Sequence, residues 1–300
     1  MTLDIRSVEL FLRAATLGAL GRAGEEFQLS PTATTQRIQA LEASLGTKLF
    51  NRTTRSVSLT RDGEVFLEHA RHIIDSVEAA HASIDEAKGR VIGELRVTAS
   101  ASFGRSQIVP YVQEFLELYP DVRLRLNLSD SIVDIVDQGY DLAIRVGVLS
   151  SSTLLARKLA HNPRVLVAAP KYLEQFGTPQ RPADLKNHNC ILLGETRNWN
   201  MRDPQGNLHE VRVTGHFTTN LGEAVTDVVS AGGGIGLKSV WDLVDHLESG
   251  RLVQVLIGHT IEPAWQVWAV RPPNKTPPTR VQVFTNFLED KFRRAQLGVI

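Results

Sequence analysis

Cysteine is almost missing from this chain: its 300 residues hold one, Cys190. That excludes an intramolecular disulfide framework and a CxxC or multi-cysteine metal site. Net charge is missing too, with thirty-three Lys and Arg against thirty-three Asp and Glu. A bulk polycation is thereby excluded, although a local basic patch is not. No run approaches the roughly 18 consecutive apolar residues of a membrane span, so no membrane partner is expected. The opening residues, Met1-Thr2-Leu3-Asp4-Ile5-Arg6, alternate charge and lack an apolar stretch. A secretory signal is therefore not expected, and the cytoplasm is the expected compartment. Repeats and low-complexity tracts are also lacking. What is present is 42% hydrophobic and 22% charged, an ordinary globular composition at a length that suggests two domains.

Three segments follow from the patterning. Residues 1–60 read as short helices plus a hairpin, 61–88 as one long helix, and 89–300 as alternating strands and helices. A glycine-bracketed linker, Lys88-Gly89-Arg90-Val91-Ile92-Gly93, marks the last boundary. In the first segment Val8, Phe11, Leu12 and Ala15 share a helical face that Gly18 ends. Leu20, Ala23 and Phe27 face inward from a second short helix. Ser30 is an N-cap and Pro31 occupies the first position of a third helix, where its missing N–H costs nothing. Ala33, Ile38, Leu41 and Leu45 form the apolar positions of that helix, and Gly46 stops it. Two short helices around a tight turn make a helix-turn-helix.

The polar face of the third helix carries Thr32, Thr35, Gln36 and Gln39, with Arg37 as its only cation. Hydroxyls and amides hydrogen-bond base edges, and such a helix fits the DNA major groove. A solvated surface helix would look the same in isolation. The next segment, Lys48 to Thr60, alternates like two strands around a turn and places Arg52 and Arg55 near its tip, where they would reach phosphate or a minor groove. Residues 1–61 hold eight cations against five anions, a modest local excess.

Thr60 caps the long helix, with Asp62 and Glu64 in its first turn. Phe66, Ala70, Ile73, Val77, Ala80, Ile84 and Ala87 then recur at alternating spacings of four and three, a heptad seam that requires a partner. Self-pairing is expected, which would present two helix-turn-helix units to two half-sites. Packing onto its own domain is the alternative.

Beyond Gly93 the expected strands are Gly93–Ala99, Val122–Leu128, Asp141–Val146, Arg164–Ala169, Val211–Phe217, Ile235–Lys238 and Gln266–Val270, in a largely parallel sheet. Helices are expected from Ser100 to Tyr119 and from Ile132 to Gln138. Ser100 and Ser102 lie at a strand end that opens a helix, where hydroxyls and free amides suit a small carboxylate; simple helix capping is the alternative. The glycines before Lys238-Ser239 invite a phosphate-loop reading. Leu237 stands where that motif needs glycine, so a tight turn explains them better. Cys190 reads as a buried, inert thiol. The nine histidines show no metal-ligand spacing, and His69, His72 and His81 fall on the long helix. No catalytic residue, metal or cofactor is expected.

Several stretches together resemble the LysR-type transcriptional regulators. They are Arg22-Ala23, the segment from Leu29 to Glu42, Leu45-Gly46, Lys48-Leu49-Phe50-Asn51-Arg52 and Leu59-Thr60-Arg61-Asp62-Gly63. Later come Gly139-Tyr140-Asp141-Leu142-Ala143-Ile144-Arg145-Val146-Gly147, Ala168-Ala169-Pro170-Lys171-Tyr172-Leu173 and Ser249-Gly250-Arg251-Leu252-Val253. The resemblance spans essentially the whole chain in order. It implies a multidomain α/β architecture: an N-terminal winged helix-turn-helix, a long dimerisation helix, and a periplasmic-binding-protein-like (type 2) effector domain of two Rossmann-like subdomains.

It also implies double-stranded promoter DNA and a small-molecule effector as partners, and a homodimer that assembles into tetramers. DNA contacts would fall on Pro31, Thr32, Thr35, Gln36 and Arg52. Effector contacts would fall on Ser100, Ser102, Thr219 and Asn220. Four positions depart from the family pattern: Ala19 replaces a Ser cap, Gly24 replaces an Ala, and Thr35-Gln36 replaces Ser-Arg. The last puts the operator sequence beyond inference from relatives. A solute-binding module and a cytoplasmic enzyme are weaker readings. The helix-turn-helix argues against the first, and the lack of any nucleophile–base or metal set against the second. The effector is expected to be a small organic or hydroxy acid.

Overall fold

The computed structural model describes the chain except for residues 1–2, 53–56, 87–89, 132–133, 137, 150–151, 274–276, 296 and 298–300, and the side chains of residues 52, 75, 78–79 and 81–86. The chain divides into two compact units, Met1–Arg90 and Val91–Ile300.

The first unit holds four helices: α1 (Ile5–Leu17), α2 (Leu20–Glu26), α3 (Pro31–Leu45) and α4 (Arg61–Glu86). Strands β1 (Phe50–Arg52) and β2 (Val57–Leu59) form an antiparallel ribbon. Gly18 and Gly46 end α1 and α3 in the left-handed conformation, at φ 61° and 73°. The Ser30 hydroxyl accepts the Ala33 amide at 3.2 Å, while Ala19 gives α2 no side-chain cap. Phe11 sits at the centre of the core, its ring 5.2 Å from Phe50 and 5.1 Å from Phe66.

The inward face of α3 differs from the expected one. Thr34 and Glu42 are buried with Ile38 and Leu41, whereas Ala33 and Leu45 are half-buried. Thr34 is admissible because its hydroxyl donates to the Ser30 carbonyl at 2.9 Å. Glu42 is admissible because Lys48 Nζ and the Leu49 and Phe50 amides donate to its carboxylate at 2.8, 3.0 and 3.3 Å.

The second unit is built on two five-stranded mixed sheets. The first runs Val122–Leu128, Gly93–Ala99, Leu142–Gly147, Trp265–Arg271, Leu155–Asn162. The second runs Phe217–Thr219, Cys190–Leu193, Ile235–Ser239, Arg164–Ala168, Val253–Val255. The chain passes from the first sheet to the second at Asn162–Arg164 and returns at Glu262–Trp265. A smaller antiparallel sheet joins Leu208–Arg212, Asn198–Arg202 and Thr260–Glu262. Helix Thr279–Arg294 packs on the first sheet, Phe284 meeting Phe115 edge-on at 4.8 Å.

Several expectations are corrected here. Two of the four pairings in each large sheet are antiparallel, because the crossing segments feed strands back in reverse. Residues 134–136 and 138–139 form turns rather than a helix; the Asp134 carboxylate takes the Val136 amide at 2.9 Å. The strand expected over 211–217 is two strands in different sheets. Residues 213–216 separate them and include Gly215, where a Cβ would lie 1.7 Å from the Cys190 carbonyl oxygen. Strand Leu155–Asn162 went unforeseen because its first four residues are all exposed, which erases the alternation.

Candidate functional site

The first candidate surface is the open face of α3. Pro31, Thr32, Gln36 and Gln39 are exposed, and Thr35 is half-buried. Arg37 leans toward Asp4, its Nε 3.9 Å from the carboxylate. Thr34 makes close helix packing work: a Cβ at Gly24 on α2 would lie 2.0 Å from its hydroxyl. In the ribbon beside α3, Arg52 pairs with Val57 in the antiparallel register. Arg55 lies outside the described residues.

The junction of ribbon and α4 explains the Thr60-Arg61-Asp62-Gly63 motif. The Thr60 hydroxyl accepts the Gly63 amide at 2.9 Å and donates to the Lys48 carbonyl at 2.6 Å. Asp62 accepts from the Thr47 hydroxyl. Any side chain at residue 63 would strike the Leu49 carbonyl, 2.1 Å from the ideal Cβ.

The α4 seam is divided, which corrects part of the dimerisation expectation. Ala70 is completely buried in the unit's own core, and Phe66 packs there with Leu67 and Ile74. These residues close the helix-turn-helix core, and Ala70, with no exposed surface, has none left to offer a second copy. Ile73 and Val77 are half-buried outside that cluster, and Ala80 is exposed. The Ile84 side chain lies outside the described set.

In the second unit a cavity of about 340 Å³ lies between the two large sheets. Ser100, Ser102 and Asn220 line it. Its apolar wall combines Phe103 and three of the chain's four tryptophans, Trp199, Trp241 and Trp265, with aliphatic side chains such as Ile191 and Leu237. Thr219 is not among its lining residues, and its hydroxyl accepts the Leu221 amide at 3.1 Å. Ser102 is only 7% exposed, and its hydroxyl has no hydrogen-bond partner among the described residues. Gly222 faces it closely: a Cβ there would lie 3.2 Å from both Ser102 Oγ and Lys238 Nζ. Arg105 and Glu223 form an ion pair across the same rim at 2.8 Å.

Asp130, Arg164 and Lys238 are the charged lining residues. Asp130 accepts the Ala101 amide at 2.9 Å. The helix amide expected to receive a ligand carboxylate is therefore already taken by a carboxylate of the chain. Lys238 donates to the Gly222 carbonyl at 2.7 Å and is paired with Asp242.

Sequence reading did not single out Arg164, Lys238 or the tryptophans as cavity residues. Position on a strand does not reveal which sheet face meets a second sheet. Cys190 lies buried in its strand, where burial pushes its thiol pKa up to about 12, so it stays protonated. No cluster of three or more metal-ligating side chains occurs among the described residues, and no described helix is long and apolar enough to cross a membrane.

Comparison with known proteins gives two family matches. Residues 5–64 match the bacterial regulatory helix-turn-helix protein, lysR family, and residues 88–293 match the LysR substrate binding domain. The chain is 34% identical to the HTH-type transcriptional regulator DmlR of Escherichia coli, covering 96% of this chain and 94% of that one. It is 34% identical to the E. coli HTH-type transcriptional activator TtdR, covering 88% and 86%. Among solved structures it resembles CrgA, a LysR-type transcriptional regulator from Neisseria meningitidis, at 29% identity and TM-score 0.61, covering 97% and 99%. It also resembles the full-length Vibrio cholerae virulence activator AphB at 26% identity and TM-score 0.60, covering 95% and 98%.

Proposed function

The chain belongs to the LysR family of DNA-binding transcriptional regulators with a substrate-binding domain, and from that premise we propose which of its residues do the work. Pro31, Thr32, Thr35 and Gln36 read base edges in a major groove, and Arg52 and Arg55 of the ribbon hold flanking phosphate. Arg37, turned toward Asp4, has a lesser share. Ile73, Val77, Ala80 and Ile84 pair two copies, which go on to form a tetramer in the cytoplasm. Ser100, Ser102 and Asn220 contact a small organic acid in the cavity, and its binding shifts the population of DNA-binding arrangements.

The observation that carries this reading is a polar, exposed helix edge on a helix fixed by a serine cap at one end and a left-handed glycine at the other. A gel shift with DNA upstream of the chain's own gene, at stated salt, tests it. Specific retardation is expected; none there or at any neighbouring promoter overturns it. Arg52→Ala is expected to weaken binding on every sequence and to flatten the plot of log affinity against log salt by about one ion. An unchanged slope removes its phosphate role.

A further inference from the structure

Among the described residues three charged side chains line the cavity between the two sheets, and two of them already have electrostatic partners within the chain. Lys238 is paired with Asp242. Asp130 holds the Ala101 amide and acts electrostatically on Arg145. Arg164 is different. It has no carboxylate partner among the described residues. Its contacts are the Pro263 carbonyl, accepting from Nη2 at 3.3 Å, and the face of Trp265, 3.9 Å from the guanidinium carbon.

A guanidinium carries five N–H donors in a planar fork that matches a carboxylate. One of these is engaged by Pro263. Burial without a counter-charge is costly, and here it pushes the Arg164 pKa down to about 10. The group remains cationic at neutral pH. An incoming carboxylate would supply the missing counter-charge, with a charge-assisted fork strengthened by low-dielectric surroundings.

The rest of the wall sets the body of the ligand. Phe103, Trp199, Trp241 and Trp265 supply flat apolar surface. The other polar side chains among the described lining residues, Ser100, Ser102, Thr196, Asn220 and Ser239, are all neutral, and the buried Ser102 hydroxyl has no partner among the described residues. A second carboxylate on the ligand would find no second unpaired cation among the described lining residues, because Lys238 is already paired with Asp242.

We infer that Arg164 is the carboxylate receptor of this cavity and that the ligand is a monocarboxylic acid with a flat apolar body. This rests on reading the cavity as the effector site, and it narrows that reading to one cation and one class of acid.

Calorimetric titration of the full chain tests it with three probes: benzoate, its neutral counterpart benzamide, and the dicarboxylate succinate. Benzoate is expected to bind about tenfold or more tighter than benzamide, the gain a charge-assisted hydrogen bond gives, and tighter than succinate. Arg164→Met should erase the benzoate–benzamide difference. Arg164→Lys, which keeps the charge and loses the fork, should retain part of it. If the methionine variant fails to fold, the lysine variant and the two-probe comparison on the native chain still decide.

A benzoate preference that persists undiminished in the folded methionine variant overturns the role of Arg164 and leaves the cavity reading intact. Succinate binding tighter than benzoate overturns the ligand class. No binding by any probe overturns the inference and the cavity reading together, while the gel shift reports separately on DNA recognition.

Discussion

At the scale of single residues, two buried polar side chains, Thr34 and Glu42, set how α3 packs and therefore which of its residues stay exposed. Thr34 fills the space opened by Gly24, and the two are complementary: an alanine at position 24 gains helix propensity but drives its methyl into the Thr34 hydroxyl. Gly24→Ala is expected to destabilise by about 1–3 kcal/mol, and adding Thr34→Ala should recover most of the loss. Thermal melts of the two single variants and the double variant check this; strictly additive effects would show that the residues do not share the space. Glu42 is the second such residue. Burial by itself raises its pKa, but Lys48 and the Leu49 and Phe50 amides more than offset that and hold the carboxyl below its ordinary value of 4.5. A depressed carboxyl stabilises the fold at pH above the unfolded value, and that contribution is lost as pH falls through the folded one. Melting temperature followed from pH 7 to pH 3 should therefore drop more steeply in the native chain than in Glu42→Gln. Parallel acid limbs would sink the assignment.

At the scale of elements, α4 divides along its length into a stretch packed in its own unit's core and a stretch outside that core. Its first turns close the helix-turn-helix core through Phe66 and Ala70, and Ile73 lies outside that core. The same helix therefore gives two different failures. Ala70→Asp buries an unpaired charge in the core and should abolish the folded N-terminal unit. Ile73→Asp should leave that unit folded and shift dimers toward monomers. Circular dichroism and analytical ultracentrifugation separate the two, and an Ile73→Asp chain that sediments wholly as dimer would show that the seam pairs elsewhere. The mixed pairing of the large sheets is also an element-level result: the strand entered directly after each crossing, Arg164–Ala168 in the second sheet and Trp265–Arg271 in the first, runs against the neighbouring strand of the parallel set.

At the scale of the whole molecule, regulation is a free-energy coupling between DNA and effector, and such coupling is reciprocal. An acid that changes operator affinity by some factor must have its own affinity changed by the same factor when operator is bound. Typical couplings lie at about 5–150-fold. Titrating acid against the chain with and without operator, and operator with and without acid, measures both sides of the cycle. Unequal factors would show that a third equilibrium, such as assembly, enters the cycle.

The sequence by itself determined the order of the parts, the capped helix at Pro31–Leu45, the ribbon, the long helix and the strands Gly93–Ala99 and Val122–Leu128. These depend on local signals: a serine cap, a stop glycine, a period of 3.6 or 2. Only packing settled that Ala70 faces its own core, that Thr34 meets Gly24, that Asp130 occupies the amide at Ala101, and that Arg164 meets a carbonyl and a tryptophan face but no carboxylate among the described residues. Each of these depends on which distant segment arrives beside a residue. Periodicity fixes the face a side chain occupies, but burial and pairing belong to whatever packs against that face.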